Sequence, residues 1–559
     1  MKKMTRKIAT VLIAKICFTV STVNMLANET TKPLELPAFI IEGVEQHNLR
    51  SSIKRMPARP SVLNQSELDS LNTFEKQQPA LLPTEELPSY YLTKQYSKGY
   101  LKGSYGLFNT PALAAGYGFY LDRFDIFANV GLQVSGGDAV NSEYNKLFVD
   151  VSSNYIADEK FFIFGGSSTR TGFLINSQDY NFYGYAQRPR DTDYYDRNLF
   201  QGKFYVVSDG AHENILFSVG GSANYINAKN NSKAINNISN PVGNRYAIGS
   251  DINNIFVDGF LTIKNYWKNF LLAGNVMLNF ESVGGNSLNY YQFDGSASYF
   301  DENISILARA GIQIANNSAN TSRGGLLLLG NIEYRMNKLF TVKAEVSSGL
   351  EKTNFEEIIK YNPYLSTRAF IDHRYDIANI KGALLFHPNE KIAIMGGIDL
   401  RYADRNLVFV TDTLAQFKLE YINGTVNDIF GEILWNFTDA DRFIAKVNFN
   451  INHLADSRNL TYTPPFKSSG TYYRKWFNRL GTFVTANIVG AKDVATVNNS
   501  KQPNRQINSY FSLDLGADYT LKKFNIFAKI NNLTNSEIYF WDGYRERGMF
   551  GSLGLMWHF

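Results

Sequence analysis

Six histidines, His47, His212, His373, His387, His453 and His558, are the side chains of this 559-residue chain best suited to bind a metal or move a proton near neutral pH. None stands at metal-ligand spacing from another histidine or a carboxylate on the same strand face. Each reads as an ordinary turn or wall residue, and no catalytic, cofactor or metal site is expected. There is no Gly-x-Ser-x-Gly elbow, phosphate-binding glycine loop or dinucleotide fingerprint, so an enzyme is not expected. In "DTDYYD" the carboxylates of Asp191, Asp193 and Asp196 could supply oxygens to a surface calcium ion, or simply be solvated. Around them Tyr180, Phe182, Tyr183, Tyr185, Tyr194 and Tyr195 crowd one connection. They could stack on sugars, anchor an apolar ligand or belong to an aromatic girdle. The chemistry this chain offers is recognition, not catalysis.

The elements that position these residues are strands. Aromatics make up 14% of the chain, with 34 Tyr and 41 Phe, and only 19% of residues are charged. In "FTVKAEVSS" Phe340, Val342, Ala344 and Val346 face one way, and Thr341, Lys343, Glu345 and Ser347 the other. "DRFIAKVNFNIN" sets Phe443, Ala445, Val447, Phe449 and Ile451 against Lys446, Asn448, Asn450 and Asn452. "LFVDVSSNY" sets Leu147, Val149, Val151 and Tyr155 against Asp150, Ser152 and Asn154. From Gly99 onward short polar turns such as "LDRF", "KNYWK", "HPNEK" and "LKK" alternate with long connections rich in Asn, Ser, Gly and Tyr, as at 174–195, 227–252, 350–371 and 492–506. Ten short turns between an opening and a closing strand predict an all-β, antiparallel transmembrane barrel of about 22 strands, with both ends of the barrel on the short-turn side. A soluble sandwich would need far fewer strands and no such rhythm.

Residues 1–27, "MKKMTRKIATVLIAKICFTVSTVNMLA", read as a signal peptide: Lys2, Lys3, Arg6 and Lys7 precede an apolar run. The only cysteine, Cys17, lies within it, so the mature chain is expected to hold no disulfide. Residues 28–97 are rich in Pro, Gln, Glu and Ser without a steady period and read as a flexible periplasmic segment, followed by the barrel over 98–559. Within that segment "LPAFIIEG" is an apolar island able to add to another protein's sheet edge. A net charge of +5 with no basic block gives no sign of nucleic-acid binding.

The closing residues carry a family resemblance. "NNLTNSEIYFWDGYRERGMFGSLGLMWHF" resembles the C-terminus of the TonB-dependent receptors in Asn532, Leu533, Thr534, Asn535, Tyr539, Gly543, Tyr544 and Gly548, ending at Phe559. "YTPPFKSSGTYYRKWFNRLGTFVTANIVGAK" is similar to that family's third hairpin from the end. The resemblance implies a 22-strand barrel in the outer membrane of a Gram-negative cell, in contact with membrane lipids. It also implies a last strand, with Leu553, Leu555, Trp557 and Phe559 on one face, that is read by the barrel-assembly machinery. Family members carry a globular plug where this chain has residues 28–97. "LPAFIIEG" resembles the segment that engages TonB, which makes Phe39, Ile40, Ile41, Glu42 and Gly43 the candidate contact with TonB or a separate plug or periplasmic protein. The implied function is solute uptake or transport across the outer membrane. The alternative is a receptor-derived barrel that anchors a periplasmic complex through its N-terminal tail.

Overall fold

A computed structural model describes residues 99–559, apart from 122, 140, 159–164, 185–193, 213–214, 234–250, 367–368, 412–415, 457–458, 478 and 497–504. Twenty-two antiparallel strands follow one another around a closed ring. Closure is made by the first strand, Gly99–Gly106, which pairs with the last, Phe550–His558, from Tyr100 opposite His558 to Gly106 opposite Ser552. Closure leaves no sheet edge without partners, which a membrane interior requires. Both barrel ends, Gly99 and Phe559, meet at the short-turn end, where each backbone N–H bonds the other's carbonyl.

The strands form because their side chains alternate between two solvents. In Ser322–Arg335 every second residue is exposed, and Leu326, Leu328, Ile332 and Tyr334 point out. Phe449, Ile451, Val346 and Tyr155 are likewise on the outer face, as the sequence pattern predicts. So are Leu553, Leu555, Trp557 and Phe559, a fully apolar row on the closing strand. Around the barrel this makes an apolar belt suited to lipid, with Trp267, Trp435, Phe437 and Trp476 near the short turns.

The inner face is polar, and from residue 290 to 454 it is charge-balanced across neighbouring strands. Arg309 forks onto Asp294 at 2.5 and 2.8 Å, and Lys343 lies 3.3 Å from Glu333 directly opposite it. Lys446 lies 3.5 Å from Glu432, and Lys381 lies 3.7 Å from Asp399. Each of these inward carboxylates thus stands beside a cation on a neighbouring strand.

One pair of long strands bends away from the wall. Ile392–Thr411 and Phe417–Asn436 are 20 residues each, with a register shift between Ala403 and Asn406. Opposite the shift stands Gly424, where a Cβ would meet the His453 carbonyl oxygen at 2.4 Å. Beyond this bend Val408, Phe409, Val410, Phe417 and Leu419 are all buried. The hairpin tip has left the lipid-facing wall and joined a core at the long-loop end.

Candidate functional site at the long-loop mouth

That core is built by connections from several parts of the ring. The segment joining Phe340–Glu351 to Arg374–Asn389 carries the one helix among the described residues, Phe355–Tyr361. Asn354 caps it, its side chain accepting from the Glu357 N–H at 2.8 Å and donating to the Glu357 carboxylate at 3.0 Å. Phe355, Ile358 and Ile359 form its buried face at i, i+3 and i+4 spacing. They pack against Leu199, Ile226, Ile252 and Val283, inward-facing residues at the upper ends of the strands between 194 and 283. Seven residues cannot hold a helix alone, so this docking holds it.

Polar bonds fix where the segment sits. The Arg197 guanidinium, 1% exposed, donates to the carbonyls of Pro363 and Leu365 at 2.7 Å each and to Asn230 at 2.8 Å. It also stands 4.7 Å above the Phe182 ring, and the Tyr180 hydroxyl donates to the same Pro363 carbonyl at 2.7 Å. Glu356 accepts from Gln201 and Asn224 at 2.8 Å, with Lys203 at 3.5 Å and Lys360 beside it. Burial pushes the Glu356 carboxyl up, but these cations and amide donors outweigh it and hold the group below the usual carboxylate range. The Glu281 carboxylate accepts the Phe355 N–H at 3.0 Å, satisfying a donor at the helix start. At the far end His373 accepts from the Thr353 N–H at 3.1 Å and faces the Asn316 carbonyl at 3.1 Å. Burial lowers its pKa to about 4, so it is neutral here.

Opposite these walls the segment meets the connection 532–549 and the hairpin tip. Tyr364 stacks on Tyr544 with ring centroids 3.4 Å apart, and Phe182 and Tyr183 meet Tyr364 edge-on. Trp541 is surrounded by Tyr361, Phe409, Phe417 and Tyr462 at 4.9–5.4 Å. Leu365 bridges in parallel to Phe417, with the Ser366 N–H donating to the Phe417 carbonyl at 2.7 Å. Gly543, at φ +83°, allows this approach: a Cβ there would lie 2.2 Å from the Gly184 carbonyl oxygen. Arg547 ties the same connection to Ser135 and Tyr144 at 2.8 Å. Together these connections form an aromatic lid across the long-loop mouth.

The structure places the sequence candidates unevenly. Tyr180, Phe182 and Tyr183 do not project as free ligand-stacking rings: the first two are 2% and 1% exposed, and Tyr183 packs on the same cluster against Tyr364 and Tyr544. The side chains of Tyr185, Tyr194 and Tyr195, and Asp191 and Asp193, lie outside the described residues, as do Phe39, Ile40, Ile41, Glu42 and Gly43. Asn532 and Asn535 turn the chain at φ +50° and +51°, and the Asn532 side chain accepts from the Ser536 N–H at 3.0 Å. Tyr544 and Gly543 of that motif enter the lid. Arg197, Glu356, Tyr364 and Trp541 were not singled out by the sequence reading. The continuous apolar run "LVFV" at 407–410, unlike an alternating wall strand, does signal burial on both faces. Among the described residues no group of three His, Cys, Asp or Glu is placed to hold a metal ion.

No protein-family profile matches the sequence, and no curated protein matches it. Solved structures do. The copper transporter OprC superposes with a TM-score of 0.64 at 11% identity, over 83% of this chain and 80% of that one. The FrpB iron transporter from Neisseria meningitidis gives 0.63 at 10%, over 85% and 83%. The siderophore receptor PirA from Acinetobacter baumannii gives 0.63 at 10%, over 84% and 81%. The fold is therefore the 22-strand outer-membrane barrel of the TonB-dependent receptors.

Proposed function

We propose that this barrel takes up or transports a solute across the outer membrane behind a lid made from its own long connections. The observation that carries this reading is the segment around the helix Phe355–Tyr361, folded inward and tethered by Arg197 and Glu356 on one side and by Tyr544 on the other. A lid held by side-chain bonds and ring contacts outside the strand ladder is a two-state element, which a solute that binds the open form better will open. The likeness to metal transporters and a siderophore receptor supports transport as the class of function without choosing the solute.

In this reading residues 1–27 direct export, and 28–97 fill or gate the lumen from the periplasmic side alone or with a separate plug protein. Phe39 to Gly43 engage TonB or that partner, and the row Leu553, Leu555, Trp557 and Phe559 is what the assembly machinery reads. The lid also favours a second reading, since a barrel sealed at its mouth could serve as an anchor for a periplasmic complex held by the tail.

Single-channel conductance in planar bilayers separates the two. The full chain, a form lacking residues 28–97, and each of these carrying Arg197→Ala would be compared. Transport predicts that releasing the lid, alone or with the tail removed, produces a wide conductance. If all four forms stay closed, the lumen is not a path, and the anchor reading takes its place.

A further inference from the structure

The lumen wall carries aromatic rings in a repeated setting. Tyr100, Phe148, Tyr205, Phe260, Phe430 and Phe527 each stand directly opposite a glycine of the neighbouring strand: Gly116, Gly131, Gly172, Gly220, Gly397 and Gly554 in turn. Their chain neighbours Leu101, Val206, Leu261, Ile429 and Ile526 are exposed on the lipid face, so the rings point inward. A Cβ on any of the six glycines would come within 3.0 Å of the opposite ring. Each ring therefore lies across the next strand, one side on the wall and the other on the lumen. A glycine inside a strand weakens it, and a ring facing water loses the gain of burial. On the lipid face, where a ring would lose nothing, Gly274 and Gly330 have no atom within 4 Å of a Cβ. Covering glycines is thus not a general need of these strands. Of the six rings only Phe430 belongs to the charge-paired wall from 290 to 454.

Tyr100, Phe148 and Phe527 share one recess of about 360 Å³ with the amides of Asn129, Gln133 and Asn531, within the size range of small-solute sites. The Tyr100 hydroxyl donates to Asn129 at 2.6 Å. The Asn531 Oδ1, closed off from solvent, accepts no hydrogen bond among the described residues. Lys102, Lys146 and Lys529 stand on this surface with Asp150, Asp514 and Asp518 at neighbouring strand positions, so it does not select a charge. It offers ring faces with amide and hydroxyl groups between them.

We propose that these rings are a stacking surface for a neutral oligosaccharide, with its tightest point in the recess of Tyr100, Phe148 and Phe527. A pyranose ring has an apolar C–H face and hydroxyl edges. The face stacks on the aromatic rings, and the edges exchange hydrogen bonds with the amides, a hydroxyl donating to Asn531 Oδ1. Rings spread over several strands suit a ligand of several sugar units. The site deepens the transport reading by giving the substrate class, and it rests on that reading only for the claim that the bound sugar is cargo.

The test is calorimetric titration of maltohexaose, cellohexaose, xylohexaose and chitohexaose into the full chain, in a detergent without a sugar headgroup. Phenol serves as a ligand that stacks but lacks the hydroxylated edge. The variant Tyr100→Leu/Phe148→Leu/Phe527→Leu is compared with Phe280→Leu/Tyr291→Leu, a ring pair of the lipid face. Asn531→Ala, which keeps every ring, is the second lumen variant, and folding of each is checked by heat-modifiable electrophoretic mobility. Saturable binding of at least one hexasaccharide is expected in the native chain, unchanged in the lipid-face variant. The triple variant should bind it at least about tenfold more weakly, and Asn531→Ala about three- to tenfold more weakly. Binding of none of the four sugars, equal binding by either folded lumen variant, an equal loss in the lipid-face variant, or phenol binding as tightly as the sugar would each overturn the proposal. Binding that behaves as expected in a barrel that never conducts would leave the stacking surface standing and remove the transport reading instead.

Discussion

The two ends of the barrel are made by opposite means. At the short-turn end, described connections such as 267–270 and 521–524 join neighbouring strands and little else. At the long-loop end, residues more than 100 positions apart in sequence are bonded side chain to backbone, as with Tyr180 to Pro363 and Tyr183 to Arg545. Local turns close hairpins, whereas the cross-lumen bonds are unnecessary for a barrel to form. These bonds lie outside the strand ladder, so breaking them would leave every wall pairing in place.

The harshest test of this contrast is Arg197→Ala. It removes the Leu365 carbonyl's donor and leaves the Pro363 carbonyl with the Tyr180 hydroxyl alone inside an apolar cluster, a loss of about 2–4 kcal/mol to lid docking. At about 1.4 kcal/mol per tenfold, the open population should rise by one to three orders of magnitude. Cells should become sensitive to bulky antibiotics while heat-modifiable mobility stays native. Loss of the folded barrel itself would show that the lid and wall are one cooperative unit.

Acid is the next lever. His373 is neutral and accepts the Thr353 N–H, with a pKa of about 4 against an ordinary 6.5. A lowered pKa means the folded form holds fewer protons than the unfolded one. Its contribution is therefore complete above pH 6.5 and lost as the pH falls from 6.5 toward 4, by up to about 3 kcal/mol. Lys352 adds repulsion to the charged form. Hydrogen exchange of the 352–366 amides should accelerate over that window, and His373→Gln, which can still accept from Thr353, should flatten the response. An unchanged slope in that variant would move the acid sensitivity elsewhere.

A smaller effect separates stacking from burial. Tyr364 and Tyr544 come from different connections, so a double-mutant cycle with Leu at each isolates their coupling, expected at about 0.5–1.5 kcal/mol. Proteolysis of the lid in the folded barrel would measure it. A coupling near zero would mean that apolar area, not the ring pair, holds the two connections together.

How much of this was legible follows from the range of each interaction. The wall could be read because alternation is a local property: Val346, Phe449 and Trp557 face lipid for reasons written within two residues on either side. The turn-and-loop rhythm predicted the strand number for the same reason. The lid was not readable, because nothing near Tyr364 in sequence names Tyr544 as its partner, and Arg197 looks like any strand arginine until Pro363 and Leu365 are placed beside it. Tyr180 and Phe182 misled in the opposite sense: an aromatic in a polar connection looks exposed unless another connection covers it.

The mildest prediction lies at the other end. Phe477 sits in the short turn after Phe466–Trp476, 89% exposed and at φ +50°, a backbone region that favours glycine or asparagine. Phe477→Gly relieves about 1 kcal/mol of backbone strain and gives up some aromatic contact with the membrane interface, so the two effects largely cancel. Folding stability in urea should move by about 1 kcal/mol or less, and lid opening, read by conductance in the Arg197→Ala background, not at all. A turn substitution that changed conductance would show that the two ends communicate through the wall, and the long-loop mouth would no longer be a device separable from the barrel that carries it.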